Sequence, residues 1–158
     1  MSESRKPSEA NPVRMGRLAR LPVFFALEGK RALVAANGMG AAWKIELLSA
    51  AGAKVDVFAP KPGADLLALA DDAPGGEIVV HNRDWRAEDF AGAAIAVGTF
   101  RTDEESARFV SAARAAGVAV NVIDKPAFCD FAFGTIVNRS PLVIGISTDG
   151  AAPVFGQA

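Results

Sequence analysis

Five short runs constrain the fold of this chain more than any other feature: 31–36 (RALVAA), 54–59 (KVDVFA), 77–81 (EIVVH), 93–97 (AAIAV) and 119–123 (AVNVI). Each is rich in Val, Ile and Ala, with little of the apolar–polar alternation that marks a half-exposed strand. Strands of this kind are buried on both faces. Helical patterns lie between them at Ala41–Ala51, Ala64–Ala70 and Asp103–Ala116. The first and last are followed by Gly52 and Gly117, and glycine readily takes the left-handed conformation that ends a helix. The order strand, helix, strand, helix, strand, then strand, helix, strand predicts an α/β fold with a Rossmann-like, doubly wound parallel sheet and right-handed crossovers.

Ahead of the first strand, LPVFFALEGK (21–30) reads as an extended apolar run with a turn at Glu28-Gly29-Lys30. After Phe128 the pattern changes, and FGTIVN and LVIGIST flank Arg139-Ser140-Pro141 as an added β-hairpin. The first twenty residues are polar, basic in balance and carry two prolines; residues 1–17 are expected to form a flexible arm, because too little there is apolar to offset the ordering entropy. At the other end TDGAAPVFGQA looks like a helix start with Thr148 or Asp149 as cap, yet eight residues follow Gly150. A C-terminal part is expected to be truncated.

The 158 residues are enough for one domain with a real core, and a formal charge of −1 gives no basic field of the kind that attracts phosphate backbones. Nucleic acid is an unexpected partner. No apolar run approaches the ~20 residues of a membrane-spanning helix. Cys129 is the single cysteine, so an intramolecular disulfide is excluded; the sequence has no Cys/His grouping with metal-ligand spacing, and a cytoplasmic location is expected.

The stretch VAANGMGAAWK (34–44) follows the first strand and opens the first helix, the place where a dinucleotide fold sets its Gly-x-Gly-x-x-Gly/Ala loop beneath the pyrophosphate. The aligned letters are Ala36, Asn37, Gly38, Met39, Gly40 and Ala41. Gly38 suits the position where the backbone approaches phosphate, and Ala41 the position where helix and strand pack closely. Ala36 stands where the first glycine belongs; it costs about 1 kcal/mol at negative φ and more at positive φ. Asn37 tolerates left-handed geometry, so the turn is able to move by one residue. The loop fits weakened NAD binding, and it also fits an ordinary strand-to-helix connection. At the end of the second strand, where an acid would hold the ribose, stand Phe58, Ala59 and Pro60.

Three stretches, LPVFFALEGKRALVAANGMGAAWKIELLSAAGAKVDVFAP, VNVIDKP and FGTIVNRSPLVIGISTDGAAPV, together resemble the N-terminal module of siroheme synthase, of the precorrin-2 dehydrogenase/sirohydrochlorin ferrochelatase family. The similarity runs from about Leu18 to Val154. It implies an NAD-binding domain at 18–127, followed at 128–158 by the hairpin and the start of a helical dimerisation region. It implies NAD-dependent oxidation of precorrin-2 to sirohydrochlorin, with ferrous iron insertion in many members, and a homodimer. The alternative is a non-catalytic or truncated nucleotide- or tetrapyrrole-binding remnant.

On this resemblance Asp124, just beyond the fifth strand, is the catalytic candidate, and a carboxylate at that sheet edge could accept protons as hydride leaves the macrocycle. Residues 36–41 together with Phe58, Ala59, Gly98 and Thr99 are the cofactor candidates, and Thr148, Lys44 and Arg139 the substrate candidates. Three departures bear on the alternative: Ala36 in the loop, Phe100 (with Arg101) where the family has acids, and Asp149 where it has glycine. His81 and Cys129 read as structural, Trp43 as packing, and the acids 103–105 as dipole partners of a helix start.

Overall fold

The computed structural model describes residues 14–36 and 39–150. The expected N-terminal arm up to residue 13, the turn at Asn37 and Gly38, and the helix start beyond Gly150 lie outside the described residues. The chain divides into two compact units, Phe24–Phe133 and the two ends Met1–Val23 with Gly134–Ala158.

The larger unit holds a five-stranded parallel sheet of β1 (Arg31–Ala36), β2 (Lys54–Phe58), β3 (Ile78–His81), β4 (Ala93–Thr99) and β5 (Ala119–Val122), in the order β3-β2-β1-β4-β5. Side chains alternate between two cores. Ala32 and Val34 of β1, Val55 and Val57 of β2, and Ile95 and Val97 of β4 meet Ile45 and Leu48 of α1 (Ala42–Ala50) on one face. Leu66 and Leu69 of α2 (Ala64–Asp71) pack against the same cluster. On the other face Leu33, Ala35, Ala96, Val120 and Val122 meet Phe109, Val110 and Ala113 of α3 (Asp103–Ala115). Two-sided burial is why these runs lack polar alternation.

Each connection has a local cause. Thr102 and Glu105 form a reciprocal capping box at the start of α3, and Gly117 beyond its end takes φ +73°. Gly75 and Gly76 pass so close to the turn after α1 that a Cβ on Gly76 would lie 2.0 Å from the Ala53 carbonyl oxygen, and Ser49 Oγ donates to the Gly76 carbonyl at 2.6 Å. Between β3 and β4 a 3-10 turn (Ala87–Phe90) stands where the other crossovers have a helix. Polar side chains hold it: Arg83 donates twice to Asp89 at 2.8 Å, and Arg31 reaches Asp56 at 2.8 Å and the Asp89 carbonyl at 3.2 Å.

The free edge of β5 is closed by residues 129–131. The Asp130 carboxylate accepts from Val120 N–H at 3.1 Å, Asp130 N–H donates to the Val120 carbonyl at 2.8 Å, and Asn121 Nδ2 donates to the Phe131 carbonyl at 2.8 Å. Cys129 does the same work at Val122, taking its N–H at 3.3 Å and donating to its carbonyl at 3.2 Å. The structural part read for Cys129 thus takes this form: the sulfur satisfies edge backbone. The run at 21–30 joins no sheet; Leu27 alone is buried there, and the turn falls at Glu28-Gly29.

In the smaller unit β6 (Thr135–Arg139) and β7 (Leu142–Ile146) form the expected antiparallel hairpin. Gly134 is required where it enters, because a Cβ there would meet the Ile146 carbonyl oxygen at 2.3 Å.

Candidate functional site

Five parallel strands end on one edge of the sheet at Ala36, Phe58, His81, Thr99 and Val122. The chain leaves β1 toward β2 and returns from β3 to β4 on the other side of β1, so the strand order reverses between β1 and β4. Open α/β sheets form their ligand crevice outside such a reversal. Most of the candidate residues of the larger unit gather at this edge; Arg139 and Thr148 belong to the smaller unit with the hairpin.

Ala36 is the last residue of β1, paired with Thr99, and it packs partly buried against the core. It is not among the described non-glycine residues of positive φ, so the alanine meets no left-handed requirement. Beyond it Met39–Ala41 form a single 3-10 turn leading into α1, Gly40 has open space where a Cβ would stand, and Ala41 is 1% exposed against the strands.

The starts of α1 and α3 flank the reversal and differ in kind. At α3 the Thr102–Glu105 box and three acids, Asp103, Glu104 and Glu105, occupy the first turn. At α1 the cap residue Ala41 makes no side-chain hydrogen bond and the first turn contains no acid. Among the described residues neither a side-chain cap nor an acid occupies the start of α1, and the dipole at a helix start favours an anion such as a pyrophosphate. The residues present fit a dinucleotide at α1.

Elsewhere the edge is filled by the protein itself. Phe58 and Ala59 are each 3% exposed; His81 stacks on the Phe58 ring at 4.6 Å, and the Arg83 guanidinium lies 4.7 Å from its centre. A ligand at that place has their backbone to meet and little of their side chains. His81 Nε2 bonds Asp56 at 2.8 Å, a tie within the fold. Gly98 is needed for packing: a Cβ would meet Phe100 at 2.4 Å and Phe109 at 3.0 Å. Phe100 itself turns into the core, 8% exposed, with its ring 5.0 Å from that of Phe109. The departure from acid to Phe at position 100 thus serves the core, and the segment still reaches Thr99 at the edge.

Asp124 is exposed and sits in the turn after β5 with φ 61°, one of two described non-glycine residues in left-handed geometry. The turn is fixed on both sides, by Ile123 N–H to the Gly98 carbonyl at 2.9 Å and Lys125 N–H to the Val122 carbonyl at 3.1 Å. Aspartate is among the residues that tolerate this conformation, but glycine is favoured there, and unfavoured backbone cases cluster at sites of function.

Lys44, in the first turn of α1, is 6% exposed, with its ammonium 3.6 Å from the ring centres of both Trp43 and Phe133. Burial lowers its pKa to about 8, while the charges of Asp124 and Cys129 pull in the opposite direction. The sequence offers Lys44 as an anion contact and Trp43 as packing; the structure buries the lysine and leaves the tryptophan 53% exposed, laid against a cation. No sequence period signals this pair, because Phe133 arrives from the far end of the unit.

In the smaller unit Arg20 pairs with Asp149, so the acid that replaces a family glycine has a countercharge. Arg139 is exposed and donates to the Asn138 carbonyl at 2.9 Å, and Thr148 is half-buried beyond β7. Among the described residues no group of three or more His, Cys, Asp or Glu side chains could hold a metal ion, and no helix is long and apolar enough to cross a membrane.

Comparison with known proteins agrees with this geometry. Residues 23–135 match the sequence profile of the family described as "Putative NAD(P)-binding". The chain belongs to that family. It is 39% identical over 137 residues to siroheme synthase of Pseudomonas paraeruginosa and 40% identical over 137 residues to that of Pseudomonas putida. Each alignment covers 87% of this chain and 29% of the relative, so the chain spans less than a third of these proteins, corresponding to their N-terminal module. Among solved structures, SirC, a precorrin-2 dehydrogenase, superposes with a TM-score of 0.64 at 21% identity, covering 87% of this chain and 66% of that one. That likeness is one of fold.

Proposed function

We propose that the chain catalyses NAD-dependent oxidation of precorrin-2 to sirohydrochlorin, with Asp124 as the base. The observation that carries this reading is the Asp124 carboxylate, held in a left-handed turn at the same sheet edge as a helix start that has neither a side-chain cap nor an acid among the described residues. The similarity to siroheme synthases over 87% of the chain supports the substrate class.

When bound, NAD accepts the hydride that leaves the macrocycle. The first turn of α1 and the loop 36–41 would hold its pyrophosphate. Phe58 and Ala59 would border its adenosine half, and Gly98 and Thr99 its nicotinamide half. Asp124 takes the proton released with the hydride, so two electrons and one proton pass to cofactor and one proton to carboxylate, and solvent then restores the base. Lys44 adds positive charge near that carboxylate. Thr148 and Arg139 are assigned to the carboxylate-bearing periphery of the substrate in a homodimer, and a cytoplasmic location goes with this chemistry. Ferrous iron insertion into the product would use the same base to remove pyrrole protons.

Ala36, Phe100 and Asp149 are three of the grounds for the remnant alternative. Ala36 lies in an extended strand, Phe100 in the core, and Asp149 against Arg20. No observation favours that alternative.

Anaerobic incubation with precorrin-2 and NAD, followed by the absorbance of sirohydrochlorin, tests the reading. Turnover is expected in the wild type, with a loss of at least about 100-fold in Asp124→Asn and unchanged NAD binding by calorimetry. A wild type without turnover, or an Asn variant at full rate, would overturn it.

A further inference from the structure

Four aromatic rings of the larger unit meet in series, from the segment before β1 to the first turn of α1. Phe25 meets Phe131 with ring centres 5.8 Å apart, Phe131 meets Phe133 at 5.4 Å, and Phe133 meets Trp43 edge-on at 6.4 Å. Phe131 and Phe133 pack onto the core of the α1 face, as does Ile123, which leads into the Asp124 turn. The last ring, Trp43, is left more than half exposed. Surface apolar residues scattered singly need no explanation, and Phe24 is one of them, exposed and meeting no other ring among the described residues. Trp43 is exposed and held. The Lys44 ammonium lies over its ring, 3.6 Å from the centre, and Phe133 steadies it edge-on. With one face on the cation, the opposite face of the indole is the part open to solvent.

We propose that Trp43 is a stacking platform for the tetrapyrrole macrocycle, which lies on the open face of the indole. The proposal rests on the assignment of precorrin-2 as the substrate. A conjugated macrocycle is broad and flat, and an aromatic face takes another ring in offset contact. A cation behind the indole draws on the negative charge of its π-system, so the free face repels an electron-rich pyrrole system less than a bare indole would. The ligand's carboxylates are anions, and the first turn of α1 carries the Lys44 charge and no acid. A ring that is already clamped also loses little freedom when a ligand settles on it.

Sirohydrochlorin, titrated anaerobically without NAD, is the probe, and its absorbance reports binding with no turnover. Trp43→Ala is expected to weaken its Kd by about tenfold, the worth of one good aromatic contact. Trp43→Phe keeps a ring and should stay within about threefold of wild type, whereas Trp43→Leu, which keeps apolar bulk alone, should fall with the Ala variant. Calorimetry with NAD should give the same Kd within about twofold in all four proteins. In turnover, KM for precorrin-2 should rise in the Ala and Leu variants by more than kcat falls.

Wild-type affinity for sirohydrochlorin in Trp43→Ala, or in Trp43→Leu, overturns the platform, and turnover by the wild type then leaves the proposed function standing. Equal losses of NAD and sirohydrochlorin affinity overturn it as well, because Trp43 would then serve the cofactor or the fold. The expected series in a protein that does not oxidise precorrin-2 keeps the platform and removes the catalytic reading. A wild type that binds no sirohydrochlorin and turns over no precorrin-2 removes both. Should the Ala variant fail to fold, the comparison of Phe with Leu still decides the matter.

Discussion

Replacing Lys44 with methionine should make the protein more stable at neutral pH. A fall in pKa from 10.5 to about 8 means that the folded environment favours the neutral amine over the ammonium by about 3 kcal/mol. At pH 7 the lysine is nonetheless charged in both folded and unfolded chains, so folding bears this penalty in full. The two ring contacts oppose it, and cation–π contacts of this closeness contribute about 1 kcal/mol in total at a conservative value. Methionine has similar length, fills the same slot and lies well against aromatic rings. The net expectation is a gain of about 2 kcal/mol at pH 7.

The pH dependence carries the sign. Between about 8 and 10.5 the unfolded chain holds a proton on Lys44 that the folded chain has released, so wild-type stability rises with pH across this window. The variant has no such term, and its advantage should shrink as pH rises through the window. Urea unfolding of both proteins at about pH 7 and again near the top of the window measures the difference directly, and taking the difference cancels other groups that titrate there. A variant that is no more stable than wild type at pH 7, or an advantage that stays constant with pH, would refute the argument that burial dominates at Lys44.

Further outcomes follow from the same geometry. Gly76→Ala places a Cβ 2.0 Å from the Ala53 carbonyl, where backbone must shift, and should cost more than about 3 kcal/mol in urea unfolding, whereas Gly40→Ala, in open space, should change stability by less than about 1 kcal/mol. In Asp130→Asn the charged partner of Arg114 is removed from the β5 edge. The hydrogen bond from Arg114 holds the Asp130 carboxyl below its usual value, so it stabilises the fold above that range and this contribution is lost as pH falls through the depressed value. The variant should unfold at lower urea by about 1 kcal/mol at pH 7 and show a flatter acid limb, a modest effect because the pair is partly exposed.

The sheet was legible because burial on both faces leaves a mark on every residue of a strand. RALVAA is observed as β1 over the expected residues, and the other four runs differ from their strands by one or two residues at an end. The acids at 103–105 and Gly117 placed α3 in the same way, while its Thr102 cap shows only in the structure. The β3–β4 crossover was not legible: Arg31 holds it from far back in the sequence and Arg83 pairs with Asp89 within it, contacts that no helix or strand period records. Phe100 misled for a related reason. Read by alignment it stands at the ligand edge, and only the absence of a Cβ on the neighbouring Gly98 lets its ring fold back onto Phe109.

The two helix starts at the strand reversal show how one edge of a sheet acquires direction. Both present N–H groups beside the crevice, and the backbone alone would let an anion choose either. Thr102, Glu105 and the flanking acids close α3 with the protein's own oxygens, so an anion there would have to displace a capping box and approach three carboxylates. At α1 neither obstacle exists. The only charge buried in that first turn is the Lys44 ammonium, of the sign that a pyrophosphate favours. In the proposed function the choice of α1 over α3 comes as much from what closes the second helix as from the glycine-containing loop before the first. On that proposal the loop can bear Ala36, because the strand there stays extended and packed and the anion would be met by the helix start that follows.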